Sequence, residues 1–281
     1  MPTPHAPPFQ RLLLTGAAGT LGRAMAPALQ RLCRELVLSD LPGALAAAQA
    51  REPLMPGATV QPCDLADAAA VMALLAGVDA VVHFGGVSVE GPWPPILAAN
   101  IEGLHHLYEA ARRHAVPRVV FASSNHVTGC YRQDEVITTE DAPRPDGHYG
   151  LSKLFGEGIA SLYWQRYGIE TVCLRIGSAL PAPPDHRGLH TWLSLRDLDQ
   201  LVERSLLAPD VGCLLVFGMS NNTRRFWNPQ PGWQRIGYQP QDDSEVFAAQ
   251  VADKRQPEGS RARLLQAGVF IDIGPFDLPG T

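Results

Sequence analysis

The feature that most restricts this chain is an apolar run, Leu12-Leu13-Leu14, that stops at Thr15-Gly16 and gives way to a loop with Gly16, Gly19 and Gly22 three apart. An uninterrupted run of this kind belongs to a strand buried on both faces, as in a parallel sheet with helices on either side. Leu21 to Leu32 reads as the following helix. Glycines at such a strand-to-helix turn let the backbone bend sharply, approach a bound group closely and pack the helix on the sheet. The loop N–H groups and the positive end of the helix dipole then converge on one point, which suits a pyrophosphate. Gly16, Gly19, Thr20, Leu21 and Gly22 are the candidate contacts. The same glycines also serve purely structural turns, so the loop acquires meaning only with other parts of a site.

Strand-like and helix-like segments alternate from there on. Strands are expected at Glu35–Ser39, Ala58–Pro62, Ala80–Phe84, Arg118–Ala122, Glu170–Ile176 and Cys213–Phe217, with helices over Pro94–His114, from Tyr149, and over Leu195–Leu207. This order implies an α/β fold, a doubly wound, Rossmann-like parallel sheet of about seven strands with a small carboxyl-terminal substrate-covering region. Residues 1–10 are proline-rich, with neither a basic nor an apolar signal-peptide region, and are expected to form a loose arm; residues 11–281 form one domain. Segments rich in Pro, Gly and Asn, about 178–194 and 219–281, are expected to cover the carboxyl ends of the strands, where open α/β sheets bind ligands.

Composition excludes several classes. A formal charge of −5 leaves no broad basic surface for nucleic acid. No stretch approaches the length of a membrane span. Five cysteines without a C-x-x-C pair read as reduced thiols, and no metal site is expected, because the adjacent His105 and His106 do not face one another on a helix. The chain is expected to be a cytoplasmic homo-oligomer acting on a small molecule.

Asp40 ends the second strand, where a carboxylate accepts hydrogen bonds from an adenosine ribose and repels the extra phosphate of NADP; it would equally serve as a turn residue before Leu41-Pro42-Gly43. NAD is therefore the expected cofactor, with Arg23 as a cation that complicates the choice. Asp64 and Leu65 follow the third strand where an adenine would lie, although Asp64 is also an ordinary helix cap. Gly85 and Gly86 allow a second close approach to the cofactor, and Asn100 interrupts the apolar face of its helix. His83, inside an apolar strand, reads as a core residue.

Tyr149 and Lys153 are four apart on one helix and so share a face. A phenol is a poor base at neutral pH, but a cation beside it and a nicotinamide charge above it favour the phenolate. Ser124, closing the fifth strand, can bond the same substrate oxygen. The glycine loop after the first strand, Ser124 after the fifth and Tyr149/Lys153 opening the next helix are ordered parts of one site.

With these parts the chain resembles the extended branch of the short-chain dehydrogenase/reductase superfamily over nearly its whole length. Longer strings, GGVSVEGPW at 85–93, FASSNHVTGCY at 121–131, RPDGHYGLSK at 144–153, RIGS at 175–178, then Arg187 and HTW at 190–192, resemble the uronate dehydrogenases within it. That resemblance implies NAD-dependent oxidation of a cyclic hexuronic acid, D-glucuronate or D-galacturonate, at C1 to the aldaric acid lactone. It implies Tyr149 as base, Lys153 lowering the phenol pKa and holding the nicotinamide ribose, and Ser124 bonding the reacting oxygen. Arg187 would pair with the C6 carboxylate, and Ser88, Asn125, His126 and Ser178 would bond sugar hydroxyls or the carboxylate, with Phe270 closing the pocket. The residues alone leave other roles open: Asn125 and His126 as turn organisers, Ser178 as a loop cap, Arg187 as a surface ion-pair residue, Phe270 as packing. The segment Ala179–Pro184 is more apolar and proline-rich than the resemblance leads one to expect, which bears on where Arg187 sits. A sugar epimerase/dehydratase of the same superfamily and a non-catalytic dinucleotide sensor are the rival readings; a short carboxyl-terminal region opposes the first, and the intact Tyr/Lys pair the second.

Overall fold

A computed structural model of the protein describes residues 6–276. The strands are β1 (Phe9–Thr15), β2 (Cys33–Ser39), β3 (Thr59–Val60), β4 (Ala80–His83), β5 (Arg118–Ser124), β6 (Glu170–Ile176), β7 (Ser178–Ala179), β8 (Trp192–Leu193) and β9 (Cys213–Gly218). Seven of them form one parallel sheet in the order β3-β2-β1-β4-β5-β6-β9, and β7 pairs with β8 in a small ribbon. This is the doubly wound, Rossmann-like α/β architecture expected from the sequence.

The leucine run behaves as an enclosed strand. Leu12 and Leu14 pack into one core with Leu36, Leu38 and Val82, beneath the helices Thr20–Gln30 and Leu195–Leu207; Leu13 points the other way, into a second core with Val37, Val81 and Val119, beneath Ala68–Leu74, Gly103–Arg113 and His148–Tyr167. All three are fully buried, each contributing roughly 1.5–3 kcal/mol of apolar transfer.

Of the arm expected over residues 1–10, residues 1–5 lie outside the described residues. Phe9 and Gln10 belong to β1 instead, because the Phe9 N–H donates to Leu32 O and the Asp79 carboxylate accepts from the N–H groups of Gln10 and Arg11. The third strand shrinks to two exposed residues at the sheet edge. The helix expected over Pro94–His114 is α-helical at Trp93–Ile96 and Gly103–Arg113, with a π turn over Leu97–Glu102 that turns Asn100 inward.

β2 and β4 flank β1, so the chain leaves β1 in opposite directions on its two sides and a crevice opens over the carboxyl ends of the strands. Gly16 follows β1, Phe84 to Gly86 follow β4, Ser124 ends β5, and Gly177-Ser178 follow β6.

Candidate active site

One cleft of about 550 Å³ runs along that edge, from the glycine loop and Asp40 at one end to Arg187 and Phe270 at the other. Gly16 has φ +71°, and a Cβ there would fall 2.5 Å from the Phe84 carbonyl carbon; a Cβ on Gly22 would overlap the Gly16 carbonyl oxygen. The loop thus needs glycine twice, once for backbone shape and once for helix approach. No side chain caps the helix Thr20–Gln30, so its positive end is left to the cleft. Asp40 Oδ2 accepts from Ala18 N at 3.0 Å and Oδ1 from Leu41 N at 2.8 Å, which fixes the carboxylate in the cleft wall with lone pairs remaining. These residues fit a dinucleotide. Arg23 is turned away: its guanidinium meets Glu52 Oε2 at 2.6 Å and the Ala48 and Glu52 carbonyls at 3.4 Å, in a neighbouring hollow.

Midway along the cleft, β5 delivers Ser124, and the inner face of the helix His148–Tyr167 delivers Tyr149 and Lys153. Lys153 Nζ lies 5.6 Å from the Tyr149 ring centre and 5.1 Å from that of Phe121. One turn further on, Glu157 makes a two-pronged pair with Arg175 of β6, both contacts 2.8 Å, and accepts from Ser123 Oγ at 2.7 Å. Breaking such a buried pair costs several kcal/mol, so the helix is firmly registered on the sheet. Burial pushes the Tyr149 phenol up to about 12; a hydrogen bond with Ser124 opposes the rise and Asp146 adds to it. Burial also pulls Lys153 down to about 8. In the protein alone the phenol is thus a weaker acid than free tyrosine, and the phenolate expected from the sequence rests on a nicotinamide charge as well as on Lys153.

Lys153 carries a stability cost that can be measured. Its folded pKa, about 8, lies below the ordinary 10.5, so between those values the unfolded chain binds the extra proton. The penalty is full below pH 8 and fades as pH rises toward 10.5. Lys153→Met is expected to stabilise the ligand-free protein at pH 7 by on the order of 2 kcal/mol in urea unfolding, with the gain shrinking above pH 8. A loss of stability at pH 7 would contradict the burial of an unpaired ammonium.

At the far end Arg187 Nε donates to Gln266 O at 2.5 Å. With its amide turned to satisfy both ends, Asn125 accepts from Arg187 Nη2 at 3.0 Å and donates to Ile176 O at 3.1 Å. Burial lowers the Arg187 pKa from its usual value, with Asp185 and Asp146 opposing, and still leaves a cation. Pro183 and Pro184 brace Gly188 beside it, so the proline-rich segment supports the arginine's turn. His126 Nδ1 meets Asp146 Oδ2 at 2.6 Å, its ring stacks on Phe270 with centroids 4.0 Å apart, and Ser178 Oγ bonds Thr191 Oγ1 at 2.9 Å.

A phenol, an ammonium and a hydroxyl line one cleft with the glycine loop, and the half-buried guanidinium of Arg187 lines it too. Residues 12–196 match the NAD dependent epimerase/dehydratase family. The chain belongs to that family. Within it the chain sits with the uronate dehydrogenases: it is 50% identical to the uronate dehydrogenase of Pseudomonas syringae pv. tomato over 96% of each chain. A structure of a mutant Agrobacterium tumefaciens uronate dehydrogenase complexed with NAD superposes with a TM-score of 0.88 at 42% identity, covering 96% of this chain and all of that one. Chromohalobacter salexigens glucuronic acid dehydrogenase gives 0.88 at 43%, covering 94% and 97%.

Most of the residues singled out in this epimerase/dehydratase-family chain line the cleft: Gly16, Gly19, Thr20, Leu21, Gly22, Asp40, Gly86, Ser88, Ser124, Asn125, His126, Tyr149, Lys153, Ser178, Arg187 and Phe270. Gly85, Asp64, Leu65 and Asn100 stand behind it. Gly85 N donates to Thr15 Oγ1, Asp64 Oδ1 accepts from Ala66 N, Leu65 packs on Gly85, and Asn100 holds Val87. The cap of the next helix is Asp67, which accepts from Ala69 N and Ala70 N. His83 is a core residue as expected: it bonds Thr15 Oγ1 at 2.7 Å, and burial pulls it down to about 3. Among the described residues no cluster of His, Cys, Asp and Glu could hold a metal.

Sequence reasoning passed over Glu90, Asp146 and Gln266. Gln266 is buried and fully engaged: its amide donates to Arg132 O and Glu135 O and accepts from Trp227 Nε1, while its carbonyl accepts from Arg187. It fastens the carboxyl-terminal segment over the cleft.

Proposed function

We infer that the protein oxidises hexuronic acids at C1 with NAD, D-glucuronate and D-galacturonate being the substrates and the aldaric acid lactone the product. The observation that carries this reading is one continuous cleft lined by the glycine loop and Asp40, by Tyr149, Lys153 and Ser124, and by the half-buried Arg187. The similarity to uronate dehydrogenases over almost the full chain supports the same chemistry.

NAD, when bound, supplies the acceptor for the C1 hydride and a positive charge near the phenol. Gly16, Gly19, Thr20, Leu21 and Gly22 would hold the pyrophosphate, Asp40 the adenosine ribose and Lys153 the nicotinamide ribose. Tyr149 takes the proton of the anomeric hydroxyl, and Ser124 donates to the same oxygen. Lys153, charged below about pH 8, favours the phenolate. Arg187, fixed through Nε and one terminal nitrogen, offers its remaining N–H groups to the C6 carboxylate in a charge-assisted contact. His126 and Ser178 are placed for sugar hydroxyls, and the Phe270 ring excludes water above them.

We also read the protein as a cytoplasmic homo-oligomer. The helix His148–Tyr167 exposes Leu151, Phe155 and Leu162, an apolar strip that a second copy would cover, and among the described residues no helix is long and apolar enough to cross a membrane.

Assays with NAD and NADP in parallel test the reading. Uronate oxidation is expected with NAD and at least about tenfold less efficiently with NADP, and Asp40→Ser should narrow that ratio by weakening NAD. Equal efficiency in the unaltered protein would remove Asp40 from the ribose site.

A further inference from the structure

The helix that carries Tyr149 begins after Gly147, which has no side chain to cap it. Its first two N–H groups, those of His148 and Tyr149, donate to Oε1 and Oε2 of Glu90, each at 2.9 Å. Glu90 comes from the loop after β4, and its side chain is only 4% exposed. The fit is close enough that a Cβ on Gly147 would overlap the carboxylate. A buried carboxylate accepting two N–H groups at the positive end of a helix is a strong, directional tie.

The same loop is bound to the same helix at a second point. Asn100 accepts from Val87 N at 2.8 Å and donates to Val87 O, and its amide also donates to Ser152 Oγ at 2.9 Å; Ser152 Oγ in turn donates to Tyr149 O at 2.7 Å. Both peptide groups flanking the Tyr149 Cα are therefore held by this loop, the N–H by Glu90 directly and the C=O through Ser152. Between the two anchors lies Ser88, in the cleft wall.

We propose that Glu90 is a positioning residue for the dehydrogenation: by seating the Tyr149 peptide against the loop that presents Ser88, its carboxylate sets where the phenol oxygen meets the sugar. The proposal rests on Tyr149 being the proton acceptor. Simple helix capping is the competing role, and the protein contains a matched control. Asp67 caps Ala69 N and Ala70 N at 2.9 and 3.0 Å on the helix Ala68–Leu74 and does not line the cleft.

Glu90→Gln retains the size but leaves one acceptor oxygen for two N–H groups. Its kcat with glucuronate is expected to fall ~10- to 100-fold, the order that a small misplacement of a reacting group costs, with KM for NAD unchanged. Glu90→Asp, which keeps the charge and shortens the reach, is expected to lose kcat too, and it provides the measurement if Glu90→Gln yields no folded protein. Asp67→Ala should lower the melting temperature with kcat unaltered. Tyr149→Phe is measured alongside. If it turns over normally, the base assignment falls and the ground for this proposal with it. If Tyr149→Phe is inactive while the Glu90 variants keep their kcat, or lose no more than Asp67→Ala, the positioning role alone is overturned.

Discussion

Tyr149→Phe is expected to lower kcat for glucuronate and galacturonate by about 10³-fold, within the range that a positioned general base contributes, while NAD binds within about twofold of its original affinity. The substitution removes one oxygen from a buried ring and leaves the His126 and Phe270 rings that pack on it in place. The variant should fold, since the hydroxyl's hydrogen bond with Ser124 is a small part of a helix held by Glu157 and Arg175. Steady-state turnover and a fluorescence titration with NAD separate the two effects. Retained turnover would take the proton-accepting role from Tyr149; lost cofactor binding would make it a binding residue instead.

The second large effect is expected at Arg187. Arg187→Ala should raise KM for uronates by about 10²-fold, the scale of a desolvated charge-assisted contact, and leave KM for NAD nearly unchanged. The guanidinium is anchored by Gln266 O and Asn125 at the end of the cleft opposite the glycine loop, so its loss acts on the sugar end. Gly268 packs on the arginine stem, so some stability is lost as well, and a uronamide lacking the negative charge should feel the substitution least. Equal increases in KM for uronate and NAD would place Arg187 outside the substrate end.

The sheet was legible because its signals are local. The Leu12–Leu14 run, the glycines after it and the apolar run Ala80–Val82 each mark a strand within a few residues, and alternation with helices sets a parallel order. The catalytic-looking residues were legible for a related reason: Ser124 and Tyr149 sit at a strand end and a helix start, and Lys153 one turn on. What sequence reading missed is long-range. Glu90 reaches N–H groups 58 and 59 residues away, and Gln266 joins segments more than 130 residues apart. Neither bond leaves a periodic pattern, and an acid in a loop or a glutamine near a carboxyl terminus reads as solvated. The short helical turns Gly232–Ile236, Arg261–Leu264 and Gly268–Asp272 were unreadable as well, because tertiary contacts such as Gln266 N to Tyr131 O fix them more than helix propensity does. The phenol's pKa is a further case: four-residue spacing suggests a cation lowering it, whereas burial, visible only in three dimensions, raises it first.

The most direct test follows the hydrogen on C1. Glucuronate deuterated at that carbon, incubated with the protein and NAD, is expected to give NADH carrying the deuterium in stoichiometric yield with aldaric acid lactone, at a rate slowed by the heavier isotope. Deuterium retained in a sugar product with no net NADH, as an epimerase would leave it, would contradict the account.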